Sequence, residues 1–495
     1  MRASGILMHI SSLPGEYGIG KMGKQAFAFA DFLKKAKQKY WQILPVSPTS
    51  YGDSPYQSFS VYAGNPYFID FETLENQGYL ETSDYKNTDW GYDRCSVNYG
   101  LLYEKVFDVL RIAYERFAEN PENEYAEFLD KNAHWVKDYG LFMALKYAHD
   151  GKPWYEWEQD LKMYKHGAIE QAKQEYADDI DFWCFVQYKY YEQWEKLKNY
   201  VNSLGIEIIG DIPIYVAYDS VDVWTKPQYF LLDEDKNPID VAGCPPDAFT
   251  DLGQLWGNPL YRWDVMEQEK YSWWIERIKS AVHTYDVVRI DHFRGFESYY
   301  TIPADRTDAR VGEWRKGPDY KLFAEIEKQL GRQKIIAEDL GFITDEVAKL
   351  LDYVKFPGMK VLEFAFDPSG KSSYLPHNYA NSNNVCYTGT HDNDTIAGWI
   401  NSCNEYEIRF CKDYLAVDDI EKIPWVMIRL AWASISDTAI AQMQDFLELG
   451  SEARMNTPST VGGNWKWRCD GDCLTDELAE QIAKLTCIYD RNRFN

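Results

Sequence analysis

Short apolar segments recur along this chain, and each one ends in polar residues before a stretch with helical periodicity begins. Eight segments follow this pattern, at residues 5–10, 40–45, 206–211, 287–291, 334–338, 360–366, 384–389 and 439–446. Alternating strands and helices are typical of βα units, whose strands form a parallel sheet. Eight such units predict an α/β fold of the closed (β/α)8 barrel type. A doubly wound open sheet is the alternative arrangement of the same units.

Long segments between the predicted strands indicate insertions into this barrel of 495 residues. Residues 1–70 hold the first two strands and a loop rich in Pro, Ser, Gly and Tyr. Residues 71–180 are polar, with helical periodicity and scattered Trp and Tyr, which predicts an inserted helical subdomain. Residues 181–495 complete the barrel, and residues 220–262 within them form a second insertion that is rich in Pro, Gly and Asp.

The charge balance limits the class of partner. The chain has 52 Lys and Arg against 78 Asp and Glu, a net charge of −26. Such a field repels phosphate backbones and anionic membrane surfaces, so nucleic acid and membranes are excluded as partners. A neutral sugar is not repelled. The aromatic content of 16% suits the apolar faces of sugar rings, although most of these aromatic rings must belong to the core.

The cysteines indicate no disulfide framework, because the nine of them are scattered and odd in number. Cys469 and Cys473 lie four residues apart, without the second pair that a zinc site needs, so we expect no metal. The sequence shows neither the apolar core of a signal peptide nor a run long enough to cross a bilayer. These features favour the cytoplasm, where thiols stay reduced.

Carboxylates stand at the ends of four predicted strands, at Asp211, Asp291, Glu338 and Asp392. In (β/α)8 barrels, the side chains at the C-terminal strand ends line the active site. We therefore expect these four carboxylates to lie around one cavity.

Two of these carboxylates have surroundings that suit acid–base chemistry. Arg289 and Asp291 lie two residues apart on one strand and share a face. We therefore expect the guanidinium to lower the pKa of Asp291, and an ionised Asp291 could act as a nucleophile. Glu338 ends a buried strand, and a second negative charge nearby would raise its pKa and suit a general acid. The alternatives are a structural ion pair for Asp291 and a capping or solvated carboxylate for Glu338.

A third polar group follows the seventh predicted strand. Asp392 is placed to hold sugar hydroxyls and stabilise a positively charged transition state, and His391 to bond the same ring. The alternative is a turn that caps the helix beginning near Thr395, which we favour for Asp394.

Cleavage of a glycosidic bond needs such a set of groups. In retaining enzymes a nucleophilic carboxylate and an acid/base carboxyl stand about 5–5.5 Å apart. Asp291 and Glu338 end consecutive predicted strands, and neighbouring strands are separated by about 4.8 Å. The spacing therefore allows the two groups to act on one linkage.

Several motifs in one order resemble those of a known family. They are SSLPG at 11–15, SPYQSFS at 54–60, AGNP at 63–66, GDIPIY at 210–215, PPDAF at 245–249, GQLWGNP at 253–259, RIDHFRG at 289–295, AEDLG at 337–341, GTHD at 389–392 and RMNTP at 454–458. With these motifs the chain resembles the 4-α-glucanotransferases, or amylomaltases, of glycoside hydrolase family 77. The resemblance implies a (β/α)8 barrel with inserted subdomains and without a C-terminal β-sandwich.

The resemblance also implies site residues. Asp291 is the implied nucleophile, Glu338 the acid/base and Asp392 the transition-state stabiliser. The loop 245–257 is implied to be a flexible cover of the cleft. The resemblance implies substrate contacts for Arg289, His391, Asp211, Tyr56, Ser54, Tyr51, Asp247, Phe249, Trp256 and Asn464. Among these, Tyr51 is implied to belong to a secondary glucan site.

The implied function is the transfer of α-1,4-glucan segments to the 4-hydroxyl of glucose, maltose or another glucan by a retaining double displacement. The resemblance implies that this reaction needs no metal or organic cofactor. An α-1,4-glucan hydrolase with the same carboxylates is the main alternative. A glucan-binding protein without activity is a second one.

Overall fold

The computed structural model describes residues 2–246, 251–341 and 343–492, and its centre is a sheet of eight parallel strands. The strands are β1 (Ala3–Leu7), β2 (Tyr40–Gln42), β3 (Glu207–Ile212), β4 (Val287–Ile290), β5 (Ile335–Ala337), β6 (Gly358–Val361), β7 (Asn384–Tyr387) and β8 (Thr438–Gln442).

Neighbouring strands in this sheet follow the order β6–β7–β8–β1–β2–β3–β4–β5. The backbone N–H of Ala337 donates at 2.9 Å to the carbonyl of Pro357 and so joins the two sheet edges, β5 and β6. The predicted (β/α)8 barrel is therefore confirmed.

Helices surround the barrel and bury one apolar face each against it. The first is Lys24–Lys35, which buries Phe29 and Leu33 and ends before Lys37, a residue with a left-handed φ of 56°. The other outer helices are Ala177–Ser203, Ser272–Thr284, Tyr320–Leu330, Asp345–Val354, Ile396–Ser402, Glu405–Leu415, Ile423–Ala433 and Asp476–Ile488, with the shorter Val221–Thr225, Trp263–Gln268 and Met443–Phe446.

Helices also make up most of the regular structure in the long segment between β2 and β3. They are Phe71–Asn76, Thr82–Tyr85, Tyr99–Ala118, Asn123–Lys131, Val136–Ala148, Gln159–Lys162 and His166–Glu175. The 27-residue helix Ala177–Ser203 then returns the chain to β3 and begins four residues earlier than the predicted 181. Its middle is buried on several sides, through side chains such as Phe185, Tyr190 and Trp194.

The boundaries of four predicted strands are wrong by three residues or more. The first ends at Leu7 rather than at residue 10, where the 3-10 helix Ile10–Ser12 begins. The sixth ends at Val361, and Leu362–Phe364 is a 3-10 turn, because only 358–361 has a partner in β7. The eighth ends at Gln442, where the short helix Met443–Phe446 begins. The second ends at Gln42, before Pro45, whose nitrogen has no hydrogen to donate to a sheet. Continuous apolar runs do not distinguish a buried strand from a buried turn.

A second sheet forms one wall beside the barrel and was not predicted. It has four antiparallel strands in the order Gln254–Pro259, Asp240–Cys244, Ser298–Pro303 and Glu313–Lys316. Two of these strands lie in the Pro- and Gly-rich insertion 220–262 and pair with each other. Asp240–Cys244 also pairs with Ser298–Pro303, which follows β4 and pairs in turn with Glu313–Lys316. The pairing of Asp240–Cys244 with Ser298–Pro303 is not local, so the composition of the insertion gave no sign of it.

Two glycines before the first helix permit close packing. A Cβ atom on Gly20 would stand 1.9 Å from the carbonyl oxygen of Ile10, and one on Gly23 would stand 2.2 Å from Oδ1 of Asp70. With Gly18 these residues have the GxGxxG spacing of a dinucleotide-binding turn. The contacts of Gly20 and Gly23 show that these glycines serve close packing in this barrel.

Cys469 and Cys473 form a disulfide, against the expectation of no disulfide pairing. In the described ranges six cysteines are free thiols, and they are Cys95, Cys184, Cys386, Cys403, Cys411 and Cys487. In the same ranges, no helix combines the length and the apolar character needed to cross a membrane. No group of three or more His, Cys, Asp or Glu side chains in the described residues is arranged to hold a metal ion.

Candidate active site

Arg289 lies at the centre of the carboxylate cluster. It is buried within β4, opposite Asp211 of β3 and Ile336 of β5. Its Nη1 hydrogen-bonds Asp211 and lies 3.2 Å from Oδ1 of Asp291, while its Nη2 lies 3.4 Å from Oε2 of Glu338. The guanidinium therefore joins carboxylates from three consecutive strands, as their positions in the sequence predicted.

Asp291 and Glu338 interact directly. Burial raises the pKa of Asp291 to about 7, and the negative charge of Glu338 and a hydrogen bond between the two carboxyls add to the rise. The opposing charge of Arg289 is too weak to reverse it, so the expected lowering of this pKa is wrong. Asp291 therefore keeps its proton up to about neutral pH, in hydrogen-bond contact with Glu338.

The carboxylate of Glu338 is oriented by the backbone of the preceding barrel strand. The N–H of His292 donates to Oε2 of Glu338 at 2.6 Å. His292 has a left-handed backbone, with φ of 50°, directly after Asp291. Its ring packs edge-on against Trp256, with the ring centroids 4.8 Å apart. Burial lowers the pKa of His292 to about 4, so the ring is neutral.

Tyr56 connects the first loop to this cluster. Its hydroxyl donates to Oδ2 of Asp211 at 2.8 Å, and its ring stacks on His391 with a centroid distance of 4.9 Å. Trp465 packs at 5.8 Å from Tyr56 and 6.0 Å from His391. Three rings and a buried carboxylate thus form one end of the site.

Asp392 is held in its ionised form. Its Oδ2 lies 3.3 Å from Nε2 of His391, and its Oδ1 accepts a 2.6 Å hydrogen bond from Nδ2 of Asn456. Burial opposes ionisation, but the charge and hydrogen bond of His391 and the hydrogen bond of Asn456 outweigh it and hold the pKa of Asp392 well below its usual range. Asp392 in turn raises the pKa of His391, against the effect of burial.

These groups surround one open cavity of about 690 Å³. Arg289 and Asp211 are buried and are absent from its described lining, and Asp211 lines a smaller neighbouring cavity that shares Tyr56. Of the residues predicted to form the site, seven line the cavity: Ser54, Tyr56, Trp256, Asp291, Glu338, His391 and Asp392.

The remaining predicted residues are placed differently. Asn464 holds its own loop together, because Oδ1 accepts from the N–H of Thr457 and Nδ2 donates to Thr460. It is absent from the described lining of the cavity. Tyr51 lies in a 3-10 turn, and its side chain is outside the described structure. Asp247 and Phe249 also lie outside the described residues.

Asp394 does not face the cavity, in line with the structural role favoured for it. Its Oδ1 accepts from the N–H of Thr395 and its Oδ2 from the hydroxyl of Ser451. The cap of the helix Ile396–Ser402 is Thr395 itself, whose side chain accepts from the N–H of Gly398.

Several residues of the site were missed from the sequence. His292 and Asn456 lie inside quoted motifs, RIDHFRG and RMNTP, but neither was assigned a role. Trp465 and Trp314 also line the cavity. No spacing distinguishes these two from the other 16 tryptophans of the chain.

Comparison with known proteins identifies the family. A family model described as 4-alpha-glucanotransferase, glycoside hydrolase family 77, matches residues 8–475. The chain belongs to this 4-α-glucanotransferase family. It is 49% identical to a 4-alpha-glucanotransferase of Clostridium butyricum, over 98% of this chain and 100% of that one. It is 48% identical to that of Thermus thermophilus, over 99% of both chains.

A solved structure of the 4-α-glucanotransferase family agrees with the fold. The amylomaltase from Streptococcus agalactiae, in complex with acarbose, superposes with a TM-score of 0.97 at 44% identity and covers 100% of both chains. Full-length relatives at this level of identity support 4-α-glucanotransferase activity for the present chain. The family and the activity predicted from its motifs are confirmed.

Proposed function

We propose that this 4-α-glucanotransferase cuts α-1,4-glucans by a two-step retaining displacement, with Asp291 as nucleophile and Glu338 as acid/base. The observation that carries the proposal is the position of Arg289, whose guanidinium contacts both carboxyls at the base of one cavity. A nucleophile and a proton donor then face the same sugar linkage, as a retaining mechanism needs.

In the first step, an oxygen of Asp291 attacks the anomeric carbon of the donor glucan. The bond from that carbon to the leaving chain breaks, and Glu338 gives its proton to the leaving oxygen. A glucosyl ester forms on Asp291. In the second step, Glu338 takes the proton of an acceptor 4-hydroxyl, whose oxygen attacks the anomeric carbon and releases Asp291. Two inversions retain the α configuration.

The surrounding charges suit both steps. The raised pKa of Asp291 keeps a proton at its hydrogen bond to Glu338 near neutral pH, which is where the leaving oxygen needs one. Asp392 stays ionised through His391 and Asn456 and so places a fixed negative charge beside the developing positive charge of the sugar. Arg289 compensates the negative charge on Asp291 and Asp211.

Transfer rather than hydrolysis requires that a sugar outcompete water for the ester. We propose glucose, maltose and maltooligosaccharides as acceptors, and starch- or glycogen-type glucans as donors. The family's cover loop, 245–257, includes Trp256, which lines the cavity next to His292. An aromatic surface there would raise the effective concentration of an acceptor ring and exclude water.

Incubation with maltotriose tests the proposal. We expect glucose together with a ladder of longer maltooligosaccharides, in which NMR shows the α configuration at every new glycosidic linkage. Asp291→Asn should lose at least ~10³-fold in rate, the scale that follows removal of a covalent nucleophile. Shortening of maltotriose without longer products would indicate a hydrolase. A full ladder from folded Asp291→Asn would contradict the assigned nucleophile.

We also propose a cytoplasmic location and a separate helical subdomain at 71–180. Six free thiols among the described residues support a reducing compartment, although the Cys469–Cys473 disulfide does not require one. Fractionation of the source cells tests the location. Limited proteolysis that releases an intact 71–180 fragment would support the subdomain.

A further inference from the structure

Trp314 is an exposed aromatic residue in the wall of the active-site cavity. It lies on the edge strand Glu313–Lys316 of the antiparallel sheet and lines the same cavity as Asp291 and Glu338. Its exposed fraction is 42%, whereas most tryptophans of the described structure are buried. Single exposed aromatic residues are common on protein surfaces. The exposure of Trp314 therefore indicates a function only because the ring lies in the cleft.

The ring of Trp314 is held in a fixed position. The guanidinium of Arg294 lies over one part of the ring, 3.9 Å from its centroid. Tyr300 is directly opposite Trp314 in the antiparallel pair, and the two rings pack with centroids 5.3 Å apart. A ring that is already fixed loses little conformational entropy when a ligand stacks on it.

The contacts of Glu338 show which end of the cavity Trp314 belongs to. The acid/base group stands at the bond that is cut, so the leaving or accepting chain extends past Glu338. His292 binds Glu338 through its N–H and packs on Trp256 through its ring. Arg294 follows two residues later, in the 3-10 helix Phe293–Phe296, and its guanidinium lies over the ring of Trp314.

The opposite end of the cavity holds a different set of groups. There Asp392 is bound by His391 and Asn456, and Tyr56 and Trp465 pack on the ring of His391. These groups surround the sugar that forms the ester. The two sets divide the cavity into a donor end and an acceptor end.

We propose that Trp314 is the stacking platform of an acceptor subsite, remote from the cleavage point, that binds a glucose ring of a maltooligosaccharide acceptor. The inference rests on the roles proposed above for Asp291 and Glu338. The apolar face of a glucose ring suits an indole surface, and a neutral chain is not repelled by the negative charge of the protein. Glucose alone is too short to bind the first acceptor position and Trp314 together.

Acceptor length provides the test. Unlabelled maltopentaose serves as donor, and glucose, maltotriose or maltotetraose carrying 13C in the reducing-end unit serves as acceptor. A labelled oligosaccharide that acts as donor loses its label with the leaving group, so longer labelled product reports acceptor use alone. The measured quantity is the ratio of kcat/KM for maltotetraose to that for glucose. We expect Trp314→Ala to lower this ratio about 5- to 10-fold and Trp314→Phe, which keeps a ring, to lower it less.

The controls separate this proposal from the proposed mechanism. Tyr406→Ala removes another exposed ring, 77% exposed and absent from the described lining of the cavity, and should leave the ratio unchanged. If the parent enzyme forms no labelled longer product, the mechanism of transfer fails, whatever the variants show. An unchanged ratio in folded Trp314→Ala and Trp314→Phe, or an equal loss for every acceptor, would overturn the subsite.

Discussion

Nδ2 of Asn456 lies 2.6 Å from Oδ1 of Asp392, and the backbone oxygens of both residues accept hydrogen bonds from Arg454. The two bonds from Arg454 measure 2.7 Å to Asn456 and 2.8 Å to Asp392. The segment 454–456 therefore fixes both the position and the ionisation of a carboxylate that comes from a different barrel strand.

Replacement of Asn456 by Asp should disturb this carboxylate with little change in shape. The change removes a hydrogen bond to a charged acceptor, worth about 1.5–3 kcal/mol, and adds a like charge that raises the pKa of Asp392. We expect kcat/KM for a maltooligosaccharide donor to fall about 10- to 100-fold, with the acidic limb of its pH profile at higher pH. Asn401→Asp, at an exposed position, is the control. A profile identical to that of the parent enzyme would contradict the role of Asn456.

The raised pKa of Asp291 predicts the alkaline limb of activity. Because that pKa is about 7, the proton at the hydrogen bond between Asp291 and Glu338 is present below that pH and is lost as the pH rises through it. The acid for the first step is then missing. We expect kcat/KM to decline above about pH 7, approaching a tenfold loss per pH unit.

A donor with a leaving group that needs no proton provides the control for this limb. With an α-maltosyl fluoride, the first step requires only the nucleophile. The alkaline decline in the release of fluoride should therefore weaken or disappear. The same decline for both donors would show that the titrating proton is not the one given to the leaving oxygen.

The strands that carry these groups were predictable because their signals are local. Residues 206–211, 287–291 and 334–338 were predicted, and β3, β4 and β5 differ from them by one residue at the ends. Each is a short apolar run in which a charged residue stands at or near the end. The three carboxylates gather for the same reason, since parallel neighbours end at one edge of the barrel.

The features that were missed depend on contacts between distant segments. The pKa of Asp291 is raised by burial and by Glu338, 47 positions later, against the lowering effect of the nearer Arg289. The hydrogen bond from Asn456 to Asp392 spans 64 positions. The antiparallel sheet pairs segments on both sides of β4. Spacing within one motif carries no information on such pairs.

Tyr56 should contribute separately through its hydroxyl and its ring. Tyr56→Phe removes the hydrogen bond to Oδ2 of Asp211, which then keeps the hydrogen bond from Arg289, and it leaves the ring on His391. We expect about a tenfold loss in kcat, as for a hydrogen bond to a charged group. Tyr56→Ala also removes the stacked ring and should raise KM for the donor. Tyr406→Phe is the matched control, and equal kinetic constants for Tyr56→Phe and Tyr56→Ala would contradict this division.

Glu363 is a buried carboxyl behind the segment that carries His391 and Asp392. Its Oε1 is buried without a hydrogen-bond partner, at a position 2.6 Å from where a Cβ on Gly389 would stand. Burial, and then the charges of Asp445 and Asp394, raise the pKa of Glu363 well above its usual value of 4.5. The folded protein therefore keeps this carboxyl protonated at pH values where the unfolded chain has lost the proton.

This difference predicts how stability depends on pH. The pKa of Glu363 is higher in the folded protein than in the unfolded chain. Its contribution to stability is therefore complete below about pH 4.5 and is lost as the pH rises toward the pKa of the folded state. Glu363→Gln keeps the shape and never ionises. The free energy of unfolding of Glu363→Gln relative to the parent should therefore increase between pH 4.5 and pH 8, as measured by urea denaturation. Glu115→Gln, at an exposed position on the helix Tyr99–Ala118, is the control. An offset for Glu363→Gln that is constant with pH would mean that Glu363 ionises equally in both states.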